Sequence, residues 1–321
     1  MDLKQLLGIQ HPLIVAPMFL VSNVAMVRAA MEAGCAGCIP ALNYRSIEGL
    51  EQAIQQLHQY KKQYPHGAFG FNLIVNKANP KTDAQLAAIC RHGADFIITS
   101  LGNPQQVIEQ AHAVGIKVFC DVTDLKFAQK VEKLGADAII AVNSEAGGHR
   151  GNISPKELLE SLTAHCQIPV ISAGGTATHA QMQEKLSWGA AGVSVGSPFI
   201  ASAEAEVSEE YKQACVDFGA ADIVMTEKIS GTPCSVINTP YVQKIGTKTT
   251  ALEKFLHKNK NLRKYLKMLR YIRGMNQVEK AATQATYKTV WVAGPSIEHT
   301  HAIEPMATIL QRILDTPSST V

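Results

Sequence analysis

Short apolar, β-branched runs alternate along this chain with longer segments whose apolar positions recur at helical spacing. The first pair is the run His11–Met18 and the helical segment Ser22–Ala33, with Ser22 suited to begin the helix and Gly34 suited to end it. Further strands are predicted at Cys35–Ile39, Ala68–Leu73, Asp95–Ile98, Ile116–Cys120, Ala136–Val142, Pro169–Ser172 and Ala191–Val195, and further helices at Ser46–Lys62, Thr82–His92, Asn103–Val114, Asp124–Leu134, Ser154–His165, Ala177–Trp188 and Val207–Phe218.

These eight strand–helix units predict a (β/α)8 TIM barrel. Continuous apolar strands that alternate with amphipathic helices indicate a parallel sheet whose faces are both covered. Eight such units between residues 11 and 218 fit a closed barrel, and a doubly wound open sheet is the alternative. Glycines at the helix-to-strand joins, such as Gly34 and Gly135, are interpreted as helix ends at the bottom of the barrel.

The repeat stops after Ala220, where a second region begins. Residues Leu252–Arg273 carry eight Lys and Arg residues among leucines, which predicts a basic amphipathic helix or helix pair. A solvated face of a helical cap is favoured over a nucleic-acid or membrane surface. The predicted domains are a barrel over 1–222, a helical substrate or cap domain over 223–300, and a C-terminal helix over 301–321 that returns to the barrel.

Composition narrows the class of partner. The 30 basic and 27 acidic residues leave a net charge of +3, which gives no strong electrostatic footprint for nucleic acid or an acidic membrane. Neither a membrane-spanning apolar run nor a signal-peptide pattern is seen, so a cytoplasmic protein with small-molecule partners is expected. The seven cysteines do not resemble a disulfide framework. Cys35 and Cys38 are interpreted as core residues rather than a redox or zinc pair, and no metal site is expected.

Polar and glycine-rich motifs fall at the predicted carboxyl ends of the strands, where barrels of this kind bind their ligands. Strand six leads into Ser144–Gly151, a glycine-rich stretch in which His149 is a candidate acid–base group because its ordinary pKa lies near neutrality. A purely structural histidine is the alternative. The other ends that converge on this mouth are Ala16, Pro17 and Met18 after strand one, Asn72 at strand three, Ser100 at strand four and Asp121 at strand five.

Strands seven and eight are each followed by a turn of small residues, Ser172–Gly175 and Val195–Pro198. Barrels commonly bind phosphate at these two turns through backbone N–H groups and helix N-termini. The alternative is that the glycines only close tight turns. A phosphate site beside a histidine of strand six suits flavin mononucleotide, which would supply the redox chemistry while the protein supplies binding and orientation.

Taken in order, these motifs resemble those of the nitronate monooxygenase family, formerly called 2-nitropropane dioxygenases. The resemblance spans most of the chain and rests on Ala16-Pro17-Met18, Gly70-Phe71-Asn72-Leu73, Glu145–Gly151, Ala173-Gly174-Gly175, Gly192–Ser197 and Trp291–Pro295. It implies an FMN-dependent oxidoreductase in which His149 is the catalytic base. The residues that it implies in FMN binding are Ala16, Pro17, Met18, Asn72, Gly147, Gly148, Gly174, Gly175, Val195, Gly196 and Ser197.

The chain departs from the family pattern shortly before the glutamate of the histidine motif. Family members commonly carry a Gln-Gly pair there, with the glutamine reaching the flavin, and this chain has Val142 and Asn143. Lys117 and Asp121 are candidates for the group that replaces the missing glutamine.

The resemblance therefore implies a leading function and two alternatives. The leading one is oxidation of alkyl nitronates by FMN and O2 to a carbonyl compound and nitrite. The second is a reductase similar to enoyl-acyl-carrier-protein or quinone reductases, in which NAD(P)H reduces the flavin and an enoyl thioester is the substrate. The third is a flavin-binding or partner-binding protein without enzymatic activity. The sequence leaves open whether the protein is a homodimer.

Overall fold

The computed structural model describes residues 1–76, 79–227, 233–248 and 290–315. Eight parallel strands form a closed barrel in chain order, and β1 pairs with both β2 and β8, which confirms the barrel and excludes the open sheet. The strands are β1 Leu13–Val15, β2 Ala36–Pro40, β3 Ala68–Ile74, β4 Phe96–Ser100, β5 Lys117–Val122, β6 Ala138–Val142, β7 Val170–Ala173 and β8 Gly192–Val195.

The helices follow the strands as the pattern predicts, and most boundaries agree to within two residues. They are α1 Leu3–Leu7, α2 Val24–Glu32, α3 Ile47–Gln63, α4 Thr82–His92, α5 Gln105–His112, α6 Leu125–Lys133, α7 Pro155–His165, α8 His179–Ser187, α9 Glu209–Asp217, α10 Pro240–Ile245 and α11 Met306–Leu314.

The start of α2 differs from the prediction by one residue. Asn23 caps the helix, because its side chain accepts a hydrogen bond from Met26 N at 2.9 Å. Ser22 instead holds the end of the first strand: its Oγ accepts from Met18 N at 2.8 Å and donates to Ala16 O at 3.1 Å. Ser22 therefore shapes the mouth of the barrel rather than the helix.

Large apolar side chains fill the lower part of the barrel interior. Phe96 and Phe119 stack with their ring centroids 5.2 Å apart, and both are fully buried. Helix α1, which the sequence pattern did not predict, closes the bottom: Leu3 is fully buried and its N–H donates to Ala191 O at 3.0 Å. Because the lower interior is solid, a ligand can enter only from the carboxyl ends of the strands. Cys35 and Cys38 lie in the core, as predicted.

A two-stranded antiparallel hairpin, β9 Ile223–Thr226 and β10 Cys234–Ile237, lies within the predicted cap domain. Strand β10 is also hydrogen-bonded to residues outside the hairpin: Ser235 N donates to Gly148 O at 2.7 Å, and Ile237 N donates to Trp291 O at 2.9 Å. The hairpin thus ties the loop after β6 to the returning segment at 290–294. The predicted basic helices over Leu252–Arg273 lie outside the described residues. Among the described helices, none combines the length and apolar character of a membrane span.

Candidate active site at the carboxyl end of the barrel

A cavity of about 1100 Å³ opens at the carboxyl ends of the strands. An inward-facing residue at or just after the carboxyl end of every strand lines its floor, above the buried residues of the lower interior. Polar groups are concentrated on neighbouring strands β3 to β5, while β6 and β7 contribute apolar groups. The eight residues, from β1 to β8, are Ala16, Pro40, Asn72, Ser100, Asp121, Val142, Ala173 and Ser194.

The loop after β6 is shaped by Asn143. Its buried side chain accepts a hydrogen bond from Glu145 N at 2.8 Å and donates to Gly174 O at 3.2 Å. Asn143 therefore fixes the turn into the histidine motif and ties it to the loop after β7. This is the position at which the family carries glycine, so the departure from the pattern has a structural function here, while Val142 leaves an apolar wall on the cavity.

His149 projects from this loop into the cavity. The residue is exposed to solvent through this opening. The surrounding protein atoms still displace enough water to lower the pKa of His149 below its ordinary value, because a charged imidazolium is less well solvated there. A neutral imidazole is therefore the form present at neutral pH, which is the form that accepts a proton.

Arg150 holds the loop in place. Its guanidinium donates to Ser144 O within the loop and, through Nε, to Ser235 Oγ at 2.8 Å, with Met225 Sδ at 2.9 Å. These contacts join the histidine loop to both strands of the hairpin. This geometry supports the anchoring interpretation of Arg150, because Nε and Nη1 both donate within the protein.

The loops after β7 and β8 provide donors for an anionic group. Within the described part of the chain, the backbone N–H groups of Gly175, Thr176 and Ser197 have no protein acceptor. The hydroxyl of Thr176 is buried and also lacks a described partner, although the residue lines the cavity. Donors of this kind at strands seven and eight bind phosphate. The residues present therefore fit the phosphate of FMN.

Glycine is required in these loops by close packing. Gly174 has φ +113°, and a Cβ at that position would lie 2.4 Å from Ala146 N. A Cβ on Gly147 would lie 2.9 Å from Gly294 N, which itself donates to Ser197 Oγ at 2.9 Å. The histidine loop, the β7 loop and the returning segment thus meet backbone to backbone.

A hydrogen-bonded chain of side chains crosses the polar part of the floor. Asn72 Nδ2 donates to Ser100 Oγ at 2.7 Å, and Ser100 Oγ donates to Asp121 Oδ2 at 2.5 Å. Burial raises the pKa of Asp121 to about 6, against the smaller opposing effect of the hydrogen bond from Ser100. Lys117, the other candidate for replacing the family glutamine, begins β5 at the opposite end of the strand and does not line the cavity.

All the predicted site residues lie on this one cavity. They are Ala16, Pro17, Met18, Asn72, Gly147, Gly148, His149, Gly174, Gly175, Val195, Gly196 and Ser197. The sequence did not indicate Thr176 or Cys234, which also line it. Thr176 follows the glycine pair directly and could have been included on that ground, whereas Cys234 lies on a hairpin strand that the pattern did not reveal.

Comparison with known proteins shows which family the chain is similar to. The nitronate monooxygenase family model matches residues 80–315. A protein of Rhodococcus jostii, (3aS,4S,5R,7aS)-5-hydroxy-7a-methyl-1-oxo-octahydro-1H-indene-4-carboxyl-CoA dehydrogenase, is 30% identical over 243 residues, which cover 76% of this chain and 67% of that protein. A probable nitronate monooxygenase of Staphylococcus aureus is 26% identical over 287 residues, covering 76% of this chain and 79% of the relative.

Solved structures show the same architecture over nearly the whole chain. FabK from Thermotoga maritima has a TM-score of 0.82 and 28% identity, and the match covers 98% of this chain and 94% of that one. Nitroalkane oxidase from Streptomyces ansochromogenes has a TM-score of 0.77 and 22% identity, covering 98% and 96%, and at that identity it supports the fold alone.

Proposed function

This chain belongs to the nitronate monooxygenase family of FMN-dependent oxidoreductases, and on that premise we propose that it oxidises alkyl nitronates with O2 to a carbonyl compound and nitrite. The observation that carries this proposal is His149, a neutral imidazole that faces the cavity from the loop after β6. The α-carbon of a nitroalkane is acidic, and a positioned neutral base removes its proton to form the nitronate. A substrate that arrives as the nitronate does not require this step.

The other residues of the cavity hold the reactants. When bound, FMN supplies the redox chemistry. Gly175, Thr176 and Ser197 would hold its phosphate through their unpaired donors, and the polar floor at Asn72 would face its ring. The solid barrel interior below and the hairpin at the side limit the access of water, which strengthens electrostatic interactions at the reacting atoms.

A second candidate function has specific support. The Rhodococcus jostii relative is named as a dehydrogenase of a carboxyl-CoA compound, and FabK is a near structural match. Val142, where the family carries glutamine, also removes a polar side chain from the floor of this chain. An oxidoreductase that acts on an acyl thioester with NAD(P)H would use the same cavity, with His149 exchanging a proton at the carbon next to the carbonyl group.

Anaerobic mixing of the FMN-loaded protein with single reactants separates the two functions. We expect ethylnitronate to bleach the visible flavin absorbance, NADH and NADPH to leave it unchanged on the same timescale, and readmitted O2 to release nitrite. The His149→Gln variant is the control, because it should respond to ethylnitronate but lose its response to nitroethane.

Bleaching by NADH or NADPH, followed by reoxidation with an enoyl thioester and no response to ethylnitronate, would contradict the nitronate proposal and support the second function. Protein that binds FMN but responds to neither class of reactant would contradict both. Failure of the purified protein to bind FMN would refute the proposed cofactor site.

A further inference from the structure

The carboxyl group of Asp121 occupies an unusual position in this cavity. It ends the inward face of β5, beside Ser100 of β4, and it lines the same cavity as His149. Neither the family motifs nor the proposed role of His149 accounts for an acid at this place.

Among the described residues, no cation forms an ion pair with Asp121 within 4.0 Å. Two thiols interact electrostatically with Asp121, those of Cys38 on β2 and Cys120 on β5 itself, and burial raises the pKa of both, so they carry no charge at neutral pH. The strands on either side contribute Ser100 from β4 and Val142 from β6, neither of which is charged.

The remaining charged groups of the cavity lie on other elements. Lys130 comes from α6, and Glu145 and Arg150 come from the loop after β6, where Arg150 is committed to Ser144 and the hairpin. A buried carboxyl group without a cationic partner exchanges its proton near neutrality instead of remaining ionised.

The hydrogen-bond chain determines which oxygen of Asp121 is available. Asn72 uses its amide nitrogen on Ile98 O at 3.1 Å and on Ser100 Oγ at 2.7 Å, so Ser100 has its single proton left for Asp121 Oδ2. Oδ1 receives no hydrogen bond from the described residues. Asn72 and Ser100 therefore fix the carboxyl group through one oxygen and leave the other one free on the cavity floor.

We propose that Asp121 is a second proton-exchanging group of this site. It exchanges a proton with the bound ligand from β5, whereas His149 does so from the loop after β6. Ser100 and Asn72 are the positioning residues of Asp121. In its protonated form Oδ1 donates a hydrogen bond to an acceptor atom of the bound group. When that atom gains negative charge, the proton moves from Oδ1 to it, and the carboxylate that remains is stabilised by Ser100. The O–H bond of the acid breaks, one bond to hydrogen forms on the ligand, and no electron leaves the protein.

The inference rests on the proposed function only through FMN as the group bound on the floor. A pH titration of the visible spectrum of the oxidised FMN-loaded protein, without any substrate, therefore tests it separately from turnover. We expect one spectral transition, with its midpoint above the range of ordinary carboxyl groups. The Asp121→Asn variant should bind FMN and lack this transition. The Asp83→Asn variant, which removes an exposed carboxyl group on α4, should titrate as the unmodified protein does.

Ser100→Ala gives the test of the positioning role. Its hydroxyl favours the ionised carboxylate, so its loss should move the midpoint to higher pH without abolishing the transition. If Asp121→Asn does not retain FMN, Ser100→Ala provides the test: a midpoint shifted to higher pH supports the proposal, and a shift to lower pH overturns it. A transition that persists unchanged in Asp121→Asn, a midpoint unmoved by Ser100→Ala, or a flat titration of the unmodified protein overturns the proposal.

Discussion

Replacing Asp121 with asparagine should stabilise the protein at alkaline pH and have almost no effect at acid pH. The folded protein raises the pKa of this carboxyl group from 3.8 to about 6 because burial disfavours its charge. The folded state therefore binds the proton more tightly than the unfolded state does, and stability falls as the pH rises from about 4 to about 6. Above that window the cost of the buried charge is present in full, whereas asparagine remains neutral throughout.

The magnitude follows from the same shift. At about 1.4 kcal/mol for each pKa unit, a shift of about two units corresponds to about 3 kcal/mol in the free energy of unfolding. For a chain of this length, each kcal/mol changes Tm by about 2 °C. The difference in Tm between the variant and the unmodified protein should therefore be about 6 °C larger at pH 8 than at pH 4.

Thermal unfolding of the FMN-free protein, followed by circular dichroism at fixed ionic strength, measures the difference. Asp83→Asn serves as the control and should show the same small change at both pH values, because its carboxyl group is exposed. If Asp121→Asn raises Tm equally at pH 4 and pH 8, or more at pH 4, the assignment of an uncompensated buried charge to Asp121 is refuted.

Three further predictions concern the loops around the cavity. His149→Ala should retain FMN but lose turnover of neutral nitroalkanes far more than of nitronates, and equal losses with both substrates would argue against a base. In the unmodified protein, the midpoint of the acid limb of kcat/KM for nitroalkanes should lie below pH 6.5, because burial lowers the pKa of His149. Arg150→Ala should reduce kcat/KM, measured by steady-state kinetics, by roughly 10- to 100-fold because the histidine loop is displaced. Arg150→Lys should restore little of this activity, because lysine lacks the forked donors of the guanidinium, and full activity of the lysine variant would contradict the anchoring role. Gly174→Ala should lower Tm and FMN affinity, whereas Gly115→Ala should cost only the roughly 1 to 2 kcal/mol of a positive φ. A Cβ at Gly115 would meet nothing within 4 Å, while that of Gly174 would clash with the backbone of Ala146. Equal effects of the two variants in calorimetry and flavin titration would exclude the packing argument.

The barrel was predictable because its signals are local and repeated. Each strand and helix has its own period, and glycines such as Gly34 and Gly135, both with positive φ, end helices just where the next strand begins. The hairpin was not predictable in the same way. Strands β9 and β10 have four residues each and pair across a long connection, and their further partners, Gly148 and Trp291, lie far away in the sequence.

The site was predictable in its location but not in its internal contacts. The ends of the strands must meet at one mouth in any parallel barrel, which places Asn72, Ser100 and Asp121 together. That Asn143 would hold a turn, rather than face the cofactor, depends on the position of Gly174 in space. The roles in binding FMN and in catalysis that the resemblance implies stay predictions for the experiments above.

The hairpin also has a consequence for how this protein can diversify. Val242 and Val290 are buried in one small apolar cluster with Cys234 and Val236. Strand β10 carries both Val236 of this cluster and Ser235, whose N–H donates to Gly148 O in the histidine loop. Sequence change in the cluster is therefore constrained by the geometry of the histidine loop, although none of these valines touches a reactant.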